Sequence, residues 1–173
     1  LTITDTGATV FAGPVGGTTA LAQLTIAGGG STRIETGSIT TMTAQSWGNA
    51  LTLTTDVGLT GSGVTLDASV DGSWALTITD AGASALRVVI GGTTPLASLQ
   101  TDAPGSTTVV ADITTTGGQV YRDSVLVEGD IALGASEVRF AASVDSTEAA
   151  SAPAGLSITG DAASAPLRVG YPL

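Results

Sequence analysis

The chain of 173 residues has no cysteine, no histidine and no lysine, and aromatic side chains make up only 3% of it. Without cysteine there is neither a disulfide framework nor a thiolate metal site. Without histidine, Ser-His-Asp and Cys-His arrangements are excluded, and without lysine so is a Schiff-base nucleophile. Positive charge is scarce as well. The five basic residues are Arg33, Arg87, Arg122, Arg139 and Arg168, against fifteen acidic ones, for a net charge of −10. Five scattered arginines cannot build the positive stripe that phosphate backbones or anionic membrane surfaces require, so no nucleic-acid partner is expected. Long apolar runs are missing too. The tightest cluster, residues 85–90, is broken by Arg87 and falls far short of the ~20 residues of a membrane helix, so no membrane insertion is expected of this segment. No basic-then-apolar leader opens the sequence. Residue 1 already lies inside a repeat, which reads as a segment of something longer.

What the chain does have is hydrophobic content of 42% with only 12% charge, the opposite of a disordered composition. It also has an internal echo. The pentad Leu1-Thr2-Ile3-Thr4-Asp5 returns unchanged as Leu76-Thr77-Ile78-Thr79-Asp80, 75 residues later, and again more loosely from Leu156 to Asp161. Gly16-Gly17-Thr18-Thr19-Ala20-Leu21-Ala22-Gln23-Leu24 matches Gly91-Gly92-Thr93-Thr94-Pro95-Leu96-Ala97-Ser98-Leu99 at the same offset. One deletion later, Gln45 answers to Gln119 and Trp47 to Tyr121. The repeat units run over residues 1–75, 76–155 and 156–173, the third incomplete. It follows a polar stretch at 146–153, and its residues 165–169 resemble 84–88.

Within each unit a shorter beat of Leu-Thr-Ile type begins at residues 1, 24, 51, 76, 99, 125 and 156. Helix formers are sparse, whereas three- to five-residue apolar–polar alternations bounded by Gly, Asp, Ser or Pro occur throughout. The first unit reads as strands near residues 1–4, 9–11, 21–26, 32–35, 38–41, 51–54, 64–67 and 68–70. One short strand at each return predicts a solenoid, each turn stacked on the last. The expected fold is all-β: a right-handed parallel β-helix continuous over residues 1–173, with about seven coils of ~25 residues and strands ~4.8 Å apart. Successive returns of the Leu-Thr-Ile beat should lie directly on one another. A narrow interior should be filled by small and branched aliphatic side chains, and outward Thr and Ser rows should bond along the stack. The alternative is a string of immunoglobulin-like sandwiches, disfavoured by the short beat and the shortage of aromatics.

The segments at residues 16–24 and 91–99, Thr114-Thr115-Thr116-Gly117-Gly118-Gln119-Val120-Tyr121 and the Leu-Thr-Ile-Thr-Asp pentads resemble repeats of large secreted bacterial surface proteins. These are the filamentous-haemagglutinin-like adhesins and autotransporter passenger regions. The resemblance covers essentially the whole chain. It implies a right-handed β-helix, export to the cell surface or medium, and a stalk or adhesive role. Neither that family's amino-terminal secretion domain nor its carboxy-terminal membrane barrel is visible here.

Four sets of residues invite a chemical reading. Asp67 and Asp71 are the closest carboxylates in a strand-like stretch and could form an acid/base pair of the kind polysaccharide-cleaving β-helices use; only Asp71 recurs, as Asp145. The pairs Asp5/Asp80, Asp56/Asp130 and Asp71/Asp145 could hold calcium at turns, although equivalents one unit apart cannot share an ion and turn aspartates usually cap backbone. Gly28-Gly29-Gly30 lacks the Lys-Ser/Thr of a phosphate loop. Trp47, Trp74 and Tyr121 could stack on sugars if exposed, or cover coil corners if not. The reading is therefore a non-enzymatic structural or adhesive segment of an extracellular bacterial surface protein or fibre, with no catalytic, cofactor or metal residue assigned. Its expected partners are its own kind, end to end or as neighbouring repeats of a longer chain, and host or cell-surface glycans.

Overall fold

A computed structural model describes residues 1–146 and 155–160. The stretch at 147–153 and the resemblance at 165–169 lie outside them. The described residues are all β, with no helix and with every strand pair parallel. Strands fall on three faces of a prism. The first face stacks eight: Thr2–Thr4, Leu24–Ala27, Gln45–Trp47, Val64–Leu66, Ala83–Leu86, Ser106–Val109, Ser124–Val127 and Val144–Ser146. The second runs through Ala8–Phe11, Ser31–Ile34, Ala50–Leu53 and Val70–Asp71, crosses Ile90 by single bridges, and continues with Ile113–Thr114, Ile131–Ala135 and Leu156–Gly160. On the third face Val15 bridges to Ser38–Thr40, followed by Val57–Gly61, Ala75–Asp80, Ser98–Thr101, Gly118–Tyr121 and Glu137–Phe140. This is a β-solenoid of about seven turns, and the sandwich alternative is set aside.

Alternation along each strand explains why the chain winds this way. In Leu24–Ala27 the burial alternates, with Leu24 and Ile26 inside and Thr25 and Ala27 half-covered outside. Because neighbouring strands pair in register, inward residues form columns. On the first face Ile3, Ile26, Trp47, Leu66, Leu86, Val109 and Val127 follow one another. On the third, Ile39, Leu59, Ile78, Thr101, Tyr121 and Phe140 do the same. The columns merge into one core. Each fully buried Leu or Ile contributes roughly 1.5–3 kcal/mol.

First-face strands begin at residues 2, 24, 45, 64, 83, 106, 124 and 144, so coils are 18–23 residues long, at the short end of the expected spacing. The Leu-Thr-Ile beat is not one coil throughout. Leu24–Ala27 does lie on the first pentad, Thr25 opposite Thr2. Leu51, however, sits on the second face and Leu76 on the third. Each step of one coil is followed by two of one and a third. Two strands absent from the eight read from sequence, Gln45–Trp47 and Val57–Gly61, account for the difference.

The long repeat obeys the same geometry. Seventy-five residues carry the chain past ten strands and the Val15 bridge, eleven positions on three faces, or three and two-thirds coils. Equivalent segments therefore move round by one face. Leu1 and Ile3 lie on the first and Leu76 and Ile78 on the third; Ser31–Ile34 lies on the second and Ser106–Val109 on the first.

The interior also departs from the aliphatic expectation. Phe11, Trp47, Tyr121 and Phe140 are all core residues. Nor do the outward hydroxyls bond along the stack as expected. In the first-face column Thr2, Thr25, Ser46 and Thr65, which Ala85 then interrupts, no hydroxyl bonds to the next. Threonine hydroxyls instead close corners, Thr43 Oγ1 donating to Ala22 O at 2.7 Å and Thr54 Oγ1 to Ile34 O at 3.0 Å.

Candidate functional site

Five of the aspartates that suggested chemistry, Asp56, Asp67, Asp71, Asp80 and Asp130, are engaged by a neighbouring coil. Asp67, at the end of a first-face strand, pairs with Arg87 at 3.4 Å. Asp71, on the second face, uses Oδ1 to accept the amides of Thr93 and Thr94 at 2.8 and 2.9 Å. The two carboxylates thus serve different partners at different corners. Asp56 Oδ1 accepts from Ala75 N at 2.9 Å, and Asp130 Oδ1 from Gly155 N at 2.8 Å. Asp80 is buried and accepts from Val64 N at 2.9 Å and from Ser84 Oγ at 2.5 Å, while Asp5 accepts from Thr9 Oγ1. A short strand cannot satisfy every amide where the chain leaves one face for the next. A corner carboxylate supplies the missing acceptor through a charge-assisted bond.

Rotation of the repeat also separates the proposed calcium pairs. Asp5 follows a first-face strand and Asp80 ends a third-face one; Asp71 lies on the second face and Asp145, exposed, on the first. Among the described residues no three Asp or Glu side chains converge on a common point.

Two buried glutamines do corresponding work inside, and sequence reading noted only that they align. Gln45 Nε2 donates to Ile39 O at 3.1 Å and Thr60 O at 2.9 Å; Gln119 Nε2 donates to Ile113 O at 3.1 Å and Gly134 O at 3.0 Å. Each ties a corner of its own coil to the next strand. The signal available in sequence was a polar residue recurring two places before a recurring aromatic.

Of the three candidate stacking platforms, two are excluded by burial. Trp47 and Tyr121 are 0% exposed. Burial, reinforced by the Asp123 carboxylate, pushes the Tyr121 phenol well above its ordinary value. Trp74 is different, at 43% exposed. It sits where the chain turns from the second face to the third, beside exposed Ser73, Thr93 and Thr94. Two successive corner loops are tied together there. Besides the Asp71 bonds, Gly72 N donates to Thr94 O at 3.2 Å and Ala97 N to Trp74 O at 3.0 Å. The Gly-Gly-Thr-Thr loop needs its first glycine. Gly91 has φ +71, and a Cβ there would stand 2.1 Å from Thr114 O; at Gly16, also φ +71, it would stand 2.2 Å from Thr40 O. The segment carrying much of the family resemblance is thus a corner with a steric requirement.

A groove of about 370 Å³ on the second face is lined by Asp112, Asp130, Ile131, Ala132, Gly155, Leu156 and Ser157. Its carboxylates are both committed to backbone amides, Asp112 Oδ1 to Ala132 N at 2.8 Å and Asp130 Oδ1 to Gly155 N. Comparison with protein-family models, with curated proteins and with solved structures finds no match. The fold defines the class, a β-solenoid repeat protein.

Proposed function

We propose that this chain is a structural and adhesive segment of an extracellular bacterial surface protein or fibre, a rigid spacer rather than an enzyme. One observation carries the reading: the first face is a single unbroken sheet of eight parallel strands over one continuous core. At ~4.8 Å per strand such a sheet spans about 34 Å along the axis. Each coil is held to the next by backbone pairing, so load along the axis is shared across the three faces. The carboxylates at the corners are used to hold coils together. If this segment exists as a separate polypeptide, its solenoid ends offer unpaired backbone to another chain, and end-to-end association is the expected outcome. Sedimentation analysis should show oligomers growing with concentration; a strict monomer over a wide range would sink the self-assembling form of the proposal. Activity on acidic polysaccharides above background would sink its non-enzymatic part.

A second reading, a glycan-binding module, is favoured by the exposure of Trp74 alone. An exposed indole on a corner that also carries the exposed residues Ser73, Thr93 and Thr94 suits the apolar face of a sugar. A glycan array probed with the wild-type chain tests it, and an array without hits removes it.

A further inference from the structure

Carboxylates stand on two sides of the exposed tryptophan. Trp74 lies between Val70–Asp71 on the second face and Ala75–Asp80 on the third. On one side Asp56, in the preceding coil, accepts the amide of Ala75 through Oδ1 at 2.9 Å. That bond holds Oδ1 no more than about 6 Å from the Trp74 Cα. On the other side Asp71 is brought close by a tight turn, in which Trp74 N donates to Gly72 O at 2.9 Å. Its Oδ1 accepts the amides of Thr93 and Thr94 from the following coil. Trp74 O in turn accepts from Ala97 N, so the backbone around the indole is pinned by both neighbouring coils.

Both carboxylates keep acceptor capacity. Each bond uses Oδ1, and among the described residues nothing donates to Oδ2 of Asp56 or Asp71. Nor does any described arginine neutralise them. Arg33 shares an outward column with Asp71, two strands away, but is held by Glu35 at 2.6 Å. Arg87 is paired with Asp67, Arg122 reaches Gln100, and Arg139 lies three strands further along the third face. The corner is thus an aromatic surface with negative charge on two sides and with Ser73, Thr93 and Thr94 exposed beside it.

We infer that the Trp74 corner takes a glycan bearing free amines, a glucosamine-type sugar rather than an acetylated or acidic one. This rests on the glycan-binding reading and names its ligand class. The apolar face of the pyranose stacks on the indole. Its ammonium is drawn to the π face of the ring and forms charge-assisted bonds with the free Oδ2 atoms of Asp56 and Asp71. Acetylation of the amine removes that charge, and a uronate would set a third carboxylate against two. The exposed hydroxyls of the corner favour a sugar over a basic peptide, because the methylene stem of a lysine gives them nothing to bond.

Calorimetric titration of the chain with a glucosamine tetrasaccharide, its N-acetylated counterpart, a galacturonate tetrasaccharide and tetralysine tests this. The glucosamine oligomer should bind about tenfold or more tighter than the acetylated one, and the galacturonate should not bind. Asp56→Asn and Asp71→Asn keep the oxygen that holds the backbone and remove the charge. Each should weaken glucosamine binding by about two- to fivefold with Tm unchanged, and Trp74→Ala should abolish it. Equal binding of the free and acetylated sugars overturns the inference and leaves the glycan reading standing. Tighter binding of tetralysine than of glucosamine overturns it in favour of a basic peptide. Glucosamine binding that survives Trp74→Ala overturns it as well, since attraction to a chain of net charge −10 would then suffice. Failure of every sugar to bind removes the glycan reading and this inference together.

Discussion

The two aromatic layers of the core occupy equivalent places in the repeat yet are finished differently. In the first, Gln45 and Trp47 point inward and the indole meets Phe11 edge-on, ring centres 6.0 Å apart at 81°. Trp47 Nε1 and Gln45 Oε1 are both buried without a partner. In the second, Tyr121 Oη donates to Gln119 Oε1 at 3.0 Å, and the ring stacks on its register partner Phe140 at 5.2 Å and 16°. One substitution, Trp for Tyr, separates a layer with two unmet polar atoms from one whose glutamine and phenol satisfy each other. An unmet buried group costs about 1–3 kcal/mol. The glutamine, not the aromatic, is therefore the constant of this layer. Both glutamines bind two backbone carbonyls whichever ring stands beside them.

The largest predicted consequence concerns pH and belongs to the second layer alone. The Tyr121 phenol is raised in the folded chain by burial and then by Asp123, while in the unfolded chain it titrates near its ordinary value of about 10. Its stabilising contribution is complete below that value and is lost as pH climbs above it. Stability should fall by up to about 1.4 kcal/mol per pH unit, or ~3 kcal/mol between pH 10 and 12. Denaturant titrations of wild type and Tyr121→Phe check this: the slope attributable to this group should vanish in the variant. An equal slope would place the alkaline loss elsewhere.

Smaller effects separate the glutamines. Gln45→Leu and Gln119→Leu each remove two bonds to carbonyls, but only Gln119→Leu also strips Tyr121 Oη of its acceptor. It should cost about 2 kcal/mol more than Gln45→Leu, read as the difference in ΔG from urea unfolding. Smaller again is the exchange of the rings. Tyr121→Phe at pH 7 should cost about 1 kcal/mol by orphaning Gln119 Oε1. Trp47→Tyr gains that bond for Gln45 and loses roughly 1 kcal/mol of buried ring surface, leaving stability within about 1 kcal/mol of wild type. If Trp47→Tyr were as costly as a cavity, the equivalence of the two layers would fail.

Parallel stacking could be read from the sequence because a stacked coil must repeat its strand, and the pentads and Gly-Gly-Thr-Thr segments do so visibly. Face identity could not. Leu1, Leu51 and Leu76 belong to near-identical motifs on three different faces, because an inward leucine sees much the same surroundings on each. Gln45-Ser46-Trp47 escaped as a strand since two of its three residues are polar, and Val57-Gly58-Leu59-Thr60-Gly61 since two of its five residues are glycine. The roles of the aspartates were legible as turn caps but not in detail. Their partners sit about one coil away along the chain, as Thr93 does from Asp71, and no local pattern encodes that. An aromatic core was unexpected because 3% aromatics suggests none to spare; spread over 173 residues, a few rings still suffice for two layers.

The smallest predicted effect uses the tryptophan outside both layers. Trp74 and Trp47 are the only tryptophans in the chain, one 43% exposed and the other fully buried. The loop beneath Trp74 is held by backbone and Asp71 bonds that do not involve the indole, so Trp74→Ala should change stability by less than about 0.5 kcal/mol. Its fluorescence should then come from Trp47 alone, shifted to shorter wavelength and resistant to iodide. In Trp47→Tyr the remaining Trp74 signal should be readily quenched. If the chain binds glycans through this corner, Trp74→Ala abolishes binding with its Tm intact, while Trp47→Tyr retains it. Quenching of Trp47 in the Trp74→Ala protein would mean that the first aromatic layer is open to solvent, and its contrast with the second would then be one of packing rather than of hydrogen bonding.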